Sequence, residues 1–238
     1  MQAFLAILRY DLGLLTRSWI TRIWLPLLIA PALFLVAVAA NEDELASETL
    51  AAYLAAVMIP ISGLAVAVLA SSAVSGESGI IADGILSRSV TRSEYMAAKV
   101  ISRLGFTAVI YMVIMIPFAY LIIRYAAPDT SIGGVAVGLL IVCLLLTFLG
   151  ALGITFSTLF SNVLLDVLGL LLVVLLSGVV LQFLGLTWMS TTAVVTGLPD
   201  TFRGQTPVWD LVRIFLVFSS LTAAAIATSF WVFRERDL

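Results

Sequence analysis

The stretch GGVAVGLLIVCLLLTFLGALGITFSTLF, Gly133–Phe160, contains 28 residues and no charged side chain. An α-helix rises 1.5 Å per residue, so about 20 apolar residues cross a hydrocarbon core that is about 30 Å thick. Gly133–Phe160 is therefore predicted to be a membrane-spanning helix.

The composition of the whole chain agrees with this prediction. Of the 238 residues, 62% are hydrophobic and 11% are charged, and the mean hydropathy is +1.18. A soluble core could not bury so much apolar surface. The sequence predicts an all-α membrane protein that forms a single domain over residues 1–238. The six predicted transmembrane helices are Ile23–Ala40, Leu50–Val74, Ala97–Ile123, Gly133–Phe160, Leu164–Leu184 and Leu211–Phe233.

Several function classes are excluded by what the chain lacks. The net charge is −2 and there is no dense basic tract, so nucleic acid is not an expected partner. There is no histidine, and Cys143 is the single cysteine, so the usual metal ligands and the usual general base are missing. A Gly-x-x-x-x-Gly-Lys-Ser/Thr loop is also absent. We expect no enzyme activity, no metal and no cofactor in this chain.

The orientation follows from the basic residues, because short loops rich in Lys and Arg remain in the cytoplasm. Nine basic residues fall on the side that holds both termini and three on the other side, which predicts a multi-pass protein of the cell membrane with cytoplasmic termini. The nine are Arg9, Arg17, Arg22, Arg88, Arg92, Lys99, Arg103, Arg234 and Arg236, and the three are Arg124, Arg203 and Arg213.

Residues 1–22 show a helical pattern that differs from a membrane span. Apolar side chains recur at helical spacing with polar side chains between them, which is typical of a helix lying in the cytoplasmic interface. The alternative is a simple extension of the first span into water. The apolar positions are Phe4, Leu8, Leu12, Leu15 and Trp19, and the polar positions between them are Arg9, Asp11, Thr16 and Arg17.

Asp166 is the main ionisable residue within the predicted spans, and such residues often serve ion-coupled transport. It lies near the start of the fifth span, where the helix dipole favours a carboxylate. We therefore interpret Asp166 as a structural residue. Small and hydroxyl residues in the spans, such as Ser62, Gly150 and Gly153, predict close helix packing, with a weakly polar cavity as the alternative.

The longest polar segment is VSGESGIIADGILSRSVTRSEYMAAK, Val74–Lys99, between the second and third spans. Thr91 and Glu94 form a predicted capping box at the start of the third helix. Residues 75–96 are predicted to be a cytoplasmic helical hairpin, whose apolar patch suits a groove in another protein. A solvated connector is the alternative. The patch consists of Ile80, Ile81, Ile85 and Leu86, with Asp83, Ser87 and Arg88 among them.

This segment resembles the ABC-2 type permeases, the membrane subunits of ATP-binding-cassette exporters. The topology is similar over the whole chain, whereas the specific motif covers only this loop and the last residues. The family often has threonine at the position of Ile80 and proline at that of Ser89. The matching residues are Glu77, Gly79, Ile85-Leu86-Ser87, Val90-Thr91-Arg92, Glu94-Tyr95, Lys99 and Phe233–Leu238.

The resemblance implies a permease that forms a homodimer or a heterodimer with a paralogue and exports its substrate. A separate ABC ATPase, with ATP and Mg²⁺, would bind the coupling hairpin and supply the energy. Apolar spans with almost no charged residues favour a hydrophobic or amphipathic substrate. An ion-coupled secondary transporter and a non-transporting membrane assembly subunit remain the alternatives. The expected ATPase-contacting residues are Glu77, Gly79, Ile81, Asp83, Ile85, Leu86, Arg88 and Arg92.

The connection over residues 185–210 is long for an unstructured loop. It contains Trp188, Phe202 and Trp209, aromatic residues of the kind that lie at a membrane interface. In the permeases that the chain resembles, this connection carries short helices that close the outer mouth. We therefore predict an ordered extracellular gate here, with a flexible loop as the alternative.

Overall fold

The computed structural model describes residues 2–73, 91–160, 162–186 and 189–235, with side chains from Phe4 onward. Six of the helices in these ranges are long and apolar enough to cross a membrane. The same ranges contain no β-strand, only an isolated bridge between Leu45 and Ala127. The helices are α1 (Gln2–Arg17), α2 (Trp19–Glu42), α3 (Ala46–Ser71, with a π-helical turn at Leu54–Met58), α4 (Arg92–Tyr125), α5 (Ile132–Leu159), α6 (Val163–Phe183), α7 (Thr191–Thr196), α8 (Leu198–Arg203) and α9 (Val208–Glu235).

The prediction of six apolar helices of spanning length is confirmed, and the bounds differ most at the start of α4. Hydropathy predicted Ala97 as the first residue of that span, whereas the helix begins at Arg92, directly after the predicted capping residue Thr91. Hydropathy detects the apolar body of a helix and misses a polar first turn. α2 also continues two residues beyond the predicted Ala40, to Glu42, and it ends where Asp43 adopts a left-handed conformation, with φ of 50°.

α1 is a separate helix. Ser18 has an extended conformation, with φ of −58° and ψ of 139°, and it interrupts the helix between Arg17 and Trp19. The alternative in which residues 1–22 simply extend the first span is therefore wrong. The location of α1 in a membrane interface stays a prediction.

α5 is the central helix of the bundle, and it packs against α3, α4, α6, α8 and α9. Half of the apolar window of α3, α4 and α5 is buried, compared with 22% for α2, 11% for α6 and 17% for α9. The outer three helices thus present apolar faces that suit lipid or another membrane protein.

Small residues allow α5 to approach its neighbours closely. A Cβ atom added at Gly150 would lie 2.7 Å from Leu104 Cδ2, and one added at Gly153 would lie 2.8 Å from Ala70 Cβ. At these positions the small residues serve close helix packing, as predicted from the sequence.

The two ends of the bundle lie far apart. α4 alone extends over 34 residues, or about 50 Å. The end formed by residues 4–18, 70–73, 91–103 and 230–235 is called the terminal face, since both ends of the described chain lie there. The opposite end, formed by residues 43–49, 126–131 and 190–207, is called the loop face.

Candidate functional site

Asp11 lies at the centre of a buried ionic cluster on the terminal face. Lys99 Nζ lies 2.9 Å from Asp11 Oδ1, and Arg103 Nη2 lies 3.5 Å from the same oxygen. The Ser102 hydroxyl donates a hydrogen bond to Asp11 Oδ2. The exposed fractions of the Asp11 and Lys99 side chains are 0% and 2%. The cluster therefore fixes α1 to the first turns of α4 through charge-assisted hydrogen bonds.

Asp11 was predicted to occupy a polar position of α1, and this prediction is wrong because Asp11 is fully buried. Asp11 is three residues after Leu8 and four residues before Leu15, so it belongs to the apolar face of α1. That face packs on α4, where Lys99 provides a partner. The helical spacing contained the signal, but the partner is 88 positions away in the sequence.

The first turn of α4 confirms the predicted capping box. Glu94 N donates to Thr91 Oγ1 over 3.2 Å, and Thr91 N donates to Glu94 Oε2 over 3.2 Å. Arg92 Nη1 donates to the carbonyl oxygen of Arg234 over 3.0 Å. The rings of Tyr95 and Phe233 stack with centroids 5.7 Å apart. The start of α4 is thus held by the last turn of α9 as well as by α1.

Among the predicted ATPase-contacting residues, Arg92 lies in the described part of the chain, where its side chain is exposed on the terminal face. Ala73, which precedes the predicted hairpin, and Tyr95, which lies near its end, belong to one apolar cluster on this face. The connection over residues 74–90 therefore begins and ends at the terminal face. The other predicted contacts lie outside the described residues and stay predictions: Glu77, Gly79, Ile81, Asp83, Ile85, Leu86 and Arg88.

Arg203 organises the loop face. Its Nε donates to Asp129 Oδ2 over 3.0 Å, and its Nη2 donates to Glu48 Oε1 over 2.8 Å. Asp129 Oδ1 also accepts a hydrogen bond of 2.9 Å from Ser47 N, and Asp129 Oδ2 accepts one from the Ser47 hydroxyl. These bonds join α8, the α4–α5 connection and the start of α3.

The hydrogen bonds of the loop face favour the charged forms of Asp129 and Arg203. Burial raises the pKa of Asp129, but hydrogen bonds from Ser47 and Arg203 outweigh this effect, and the pKa lies below its ordinary value. The hydrogen bonds to Asp129 and Glu48 raise the pKa of Arg203. Glu48 is largely exposed, so we expect its ion pair to contribute little compared with that of Asp129.

The connection over residues 185–210 contains two short helices that pack into the loop face. Val194, Leu198 and Phe202 are buried, and the Phe202 carbonyl accepts a hydrogen bond of 2.9 Å from Ser131 N. A Cβ atom at Gly138 would lie 2.4 Å from the Phe202 ring. Residues 191–203 are therefore ordered, whereas their role as a gate stays a prediction. Trp188 lies outside the described residues.

The described residues offer no group of three or more side chains that could hold a metal ion. Asp166 is in the first turn of α6, as its sequence position indicated, and it is fully buried. The terminal face and the loop face are thus the two candidate sites, and both are built to hold helices together.

No protein-family model and no curated protein matches the chain.

Proposed function

We propose that the chain is the membrane subunit of an ABC-type exporter of the kind that the ABC-2 permeases represent. A separate ATPase, carrying ATP and Mg²⁺, binds the terminal face through the segment Glu77–Arg92. ATP-driven movement of the ATPase then moves the permease helices. A second copy of the chain, or a paralogue, completes the transporter.

The observation that carries this proposal is the set of contacts made by the start of α4, the helix that follows this segment. α4 begins with a capping box at Thr91 and contacts α1 through the Asp11–Lys99 pair. It also contacts α9 through Tyr95 and Phe233. A force on residues 74–90 would therefore reach α1, α4 and α9 together, because packed interiors transmit displacement rather than absorb it.

The outer surface of the bundle supports the proposed substrate class and a permease partner. Less than a quarter of the apolar windows of α2, α6 and α9 is buried. Hydrophobic or amphipathic molecules can move along such helices without meeting a charge that must be desolvated. These faces are compatible with two routes for the substrate. One route is a cavity within the permease pair, and the other is the seam between its halves.

Three single variants of the chain test the coupling role of the hairpin: Ile81→Asp, Asp83→Lys and Arg88→Glu. Each should uncouple ATP hydrolysis from transport in proteoliposomes while the protein reaches the membrane at a normal level. Ile81→Asp would leave a carboxylate desolvated in the ATPase groove. Arg213→Glu is the matched charge reversal, because Arg213 is half-exposed near the start of α9 at the other end of the bundle. Normal coupling in all three hairpin variants would overturn the proposal.

One observation favours the ion-coupled alternative, namely the complete burial of Asp166 in α6. Intramembrane carboxylates often carry protons or ions. The two mechanisms give opposite results when the energy source is removed. Transport that stops on ATP depletion and survives an ionophore supports the ABC mechanism. Transport that survives ATP depletion and collapses with an ionophore supports coupling through Asp166.

A further inference from the structure

A cavity of about 520 Å³ lies on the terminal face between the first turn of α4 and the last turns of α9. Among the described residues that line it there are two cations and no carboxylate, together with one hydroxyl and three aromatic rings. The lining residues are Arg92, Ser93, Phe230, Trp231, Phe233 and Arg234.

Two tryptophans indicate the depth of this cavity relative to a bilayer. Trp209 and Trp231 lie 22 positions apart on α9, and their exposed fractions are 62% and 61%. Their separation along the helix axis is about 33 Å, and they project from nearly the same face. This separation is close to the hydrocarbon thickness of about 30 Å, and tryptophan is enriched at both membrane interfaces. The cavity beside Trp231 thus lies at the level of the lipid headgroups.

The lining combines the chemistry of a headgroup with that of the first part of an acyl chain. Arg92 and Arg234 are exposed, and the bond from Arg92 Nη1 to the Arg234 carbonyl holds the Arg92 guanidinium at the cavity wall. Guanidinium groups bind phosphate oxygens through paired hydrogen bonds. Phe230 and the buried Phe233 provide apolar walls. The nearby Glu94 carboxylate accepts bonds from Thr91 through Oε2.

We propose that this cavity binds the phosphodiester headgroup of an anionic phospholipid. The depth set by Trp231 identifies a bilayer lipid rather than a free anion as the occupant, and the two arginines select a negative headgroup. Arg92 belongs both to this cavity and to the proposed ATPase-binding segment, so lipid binding is tested on the chain without an ATPase.

The direct test is lipid binding by the purified full-length chain in a non-ionic detergent. Phosphatidylglycerol and phosphatidylcholine with identical acyl chains are titrated, and bound lipid is counted by native mass spectrometry. We expect a clear preference for phosphatidylglycerol. Each basic residue near an anionic surface contributes about fivefold in affinity, so Arg92→Gln combined with Arg234→Gln should weaken phosphatidylglycerol binding roughly 25-fold. Phosphatidylcholine binding should not change.

Two controls separate charge from folding. The double variant Arg92→Lys and Arg234→Lys preserves both charges and should retain most of the preference. Arg213→Gln removes a half-exposed arginine beside Trp209 at the other interface and should bind phosphatidylglycerol normally. If the double glutamine variant does not fold, Arg234→Gln alone carries the test, with an expected loss of about fivefold. That variant keeps the main-chain carbonyl that accepts the Arg92 bond.

The proposal is overturned if the chain shows no preference for phosphatidylglycerol, or if Arg213→Gln weakens binding as much as the double glutamine variant does. Displacement of the lipid by millimolar inorganic phosphate would identify a free-anion site instead. An unchanged lipid affinity in the double glutamine variant, with loss of a bound partner protein, would identify a protein contact and also overturn it.

Discussion

At the residue scale, the terminal face depends on Asp11. A buried ion pair gives little net stability compared with apolar residues of the same volume, but removal of one partner leaves a buried charge without compensation. The contacts of Asp11 join two helices that are far apart in sequence. The cluster therefore specifies where α1 lies more than it adds to the total stability.

Asp11→Asn should lower the free energy of unfolding in detergent by about 3 kcal/mol, because Lys99 loses its buried counter-ion. In the double variant with Lys99→Gln the loss should be smaller than the sum of the single losses, with a coupling of about 1–2 kcal/mol. Asp210→Asn is the matched control. Its pair with Arg213 is half-exposed, with 3.7 Å between the charged atoms, and should contribute less than about 0.5 kcal/mol. Additive losses at Asp11 and Lys99 would contradict this account of the cluster.

Asp129 should make the loop face sensitive to acid. Its pKa is lower in the folded state than the ordinary value of about 3.9, so the ionised form stabilises the folded state at neutral pH. This stabilisation is lost as the pH falls below about 4 toward the folded pKa. Asp129→Asn should lower the free energy of unfolding by about 1–2 kcal/mol at pH 7. In thermal unfolding, the difference in stability between this variant and the unsubstituted chain should become smaller below pH 4. If the difference in stability between the two proteins stayed constant from pH 7 to pH 3, the ionised Asp129 carboxylate would not be what stabilises the loop face.

At the element scale, the short helices α7 and α8 depend on a close approach to the start of α5. A Cβ atom at Gly134 would lie 2.3 Å from the Thr201 carbonyl oxygen, whereas a Cβ atom at Gly133 would have nothing within 4 Å. Gly134→Ala should therefore destabilise the protein by about 1–3 kcal/mol through overpacking. Gly133→Ala should be neutral or stabilise it by up to about 1 kcal/mol.

The two glycine variants can be compared by limited proteolysis and thermal unfolding. Increased cleavage within residues 190–207 is expected for Gly134→Ala alone, because its side chain displaces α8 from α5. Equal behaviour of the two variants would mean that α8 does not pack as described.

The sequence predicted the elements better than the contacts between them. The six spans follow from apolar length, and the start of α4 follows from Thr91 and Glu94, which are local signals. The Arg203–Asp129 bond joins residues 74 positions apart, and a basic loop residue does not reveal its partner. For Asp11 the helical spacing did contain a signal, because Asp11 lies on the apolar face of α1.

At the scale of the whole molecule, two polar faces are separated by an apolar bundle. The loop face holds residues 191–203 through Arg203 and the glycines of α5. On the terminal face, α4 contacts both α1 and α9 near the two ends of the connection over residues 74–90. We propose that energy enters at the terminal face and that the loop face closes the opposite side of the permease.

The most direct test of this proposal is whether the chain purifies with an ATPase. The affinity-tagged chain is isolated from its native membrane in mild detergent, and ATP hydrolysis is measured in the eluate. We predict vanadate-sensitive hydrolysis by a copurified subunit that carries a Walker-type motif. Arg213→Glu should retain this activity. An eluate of the unmodified chain without ATPase activity, from membranes in which transport is active, would contradict the proposal.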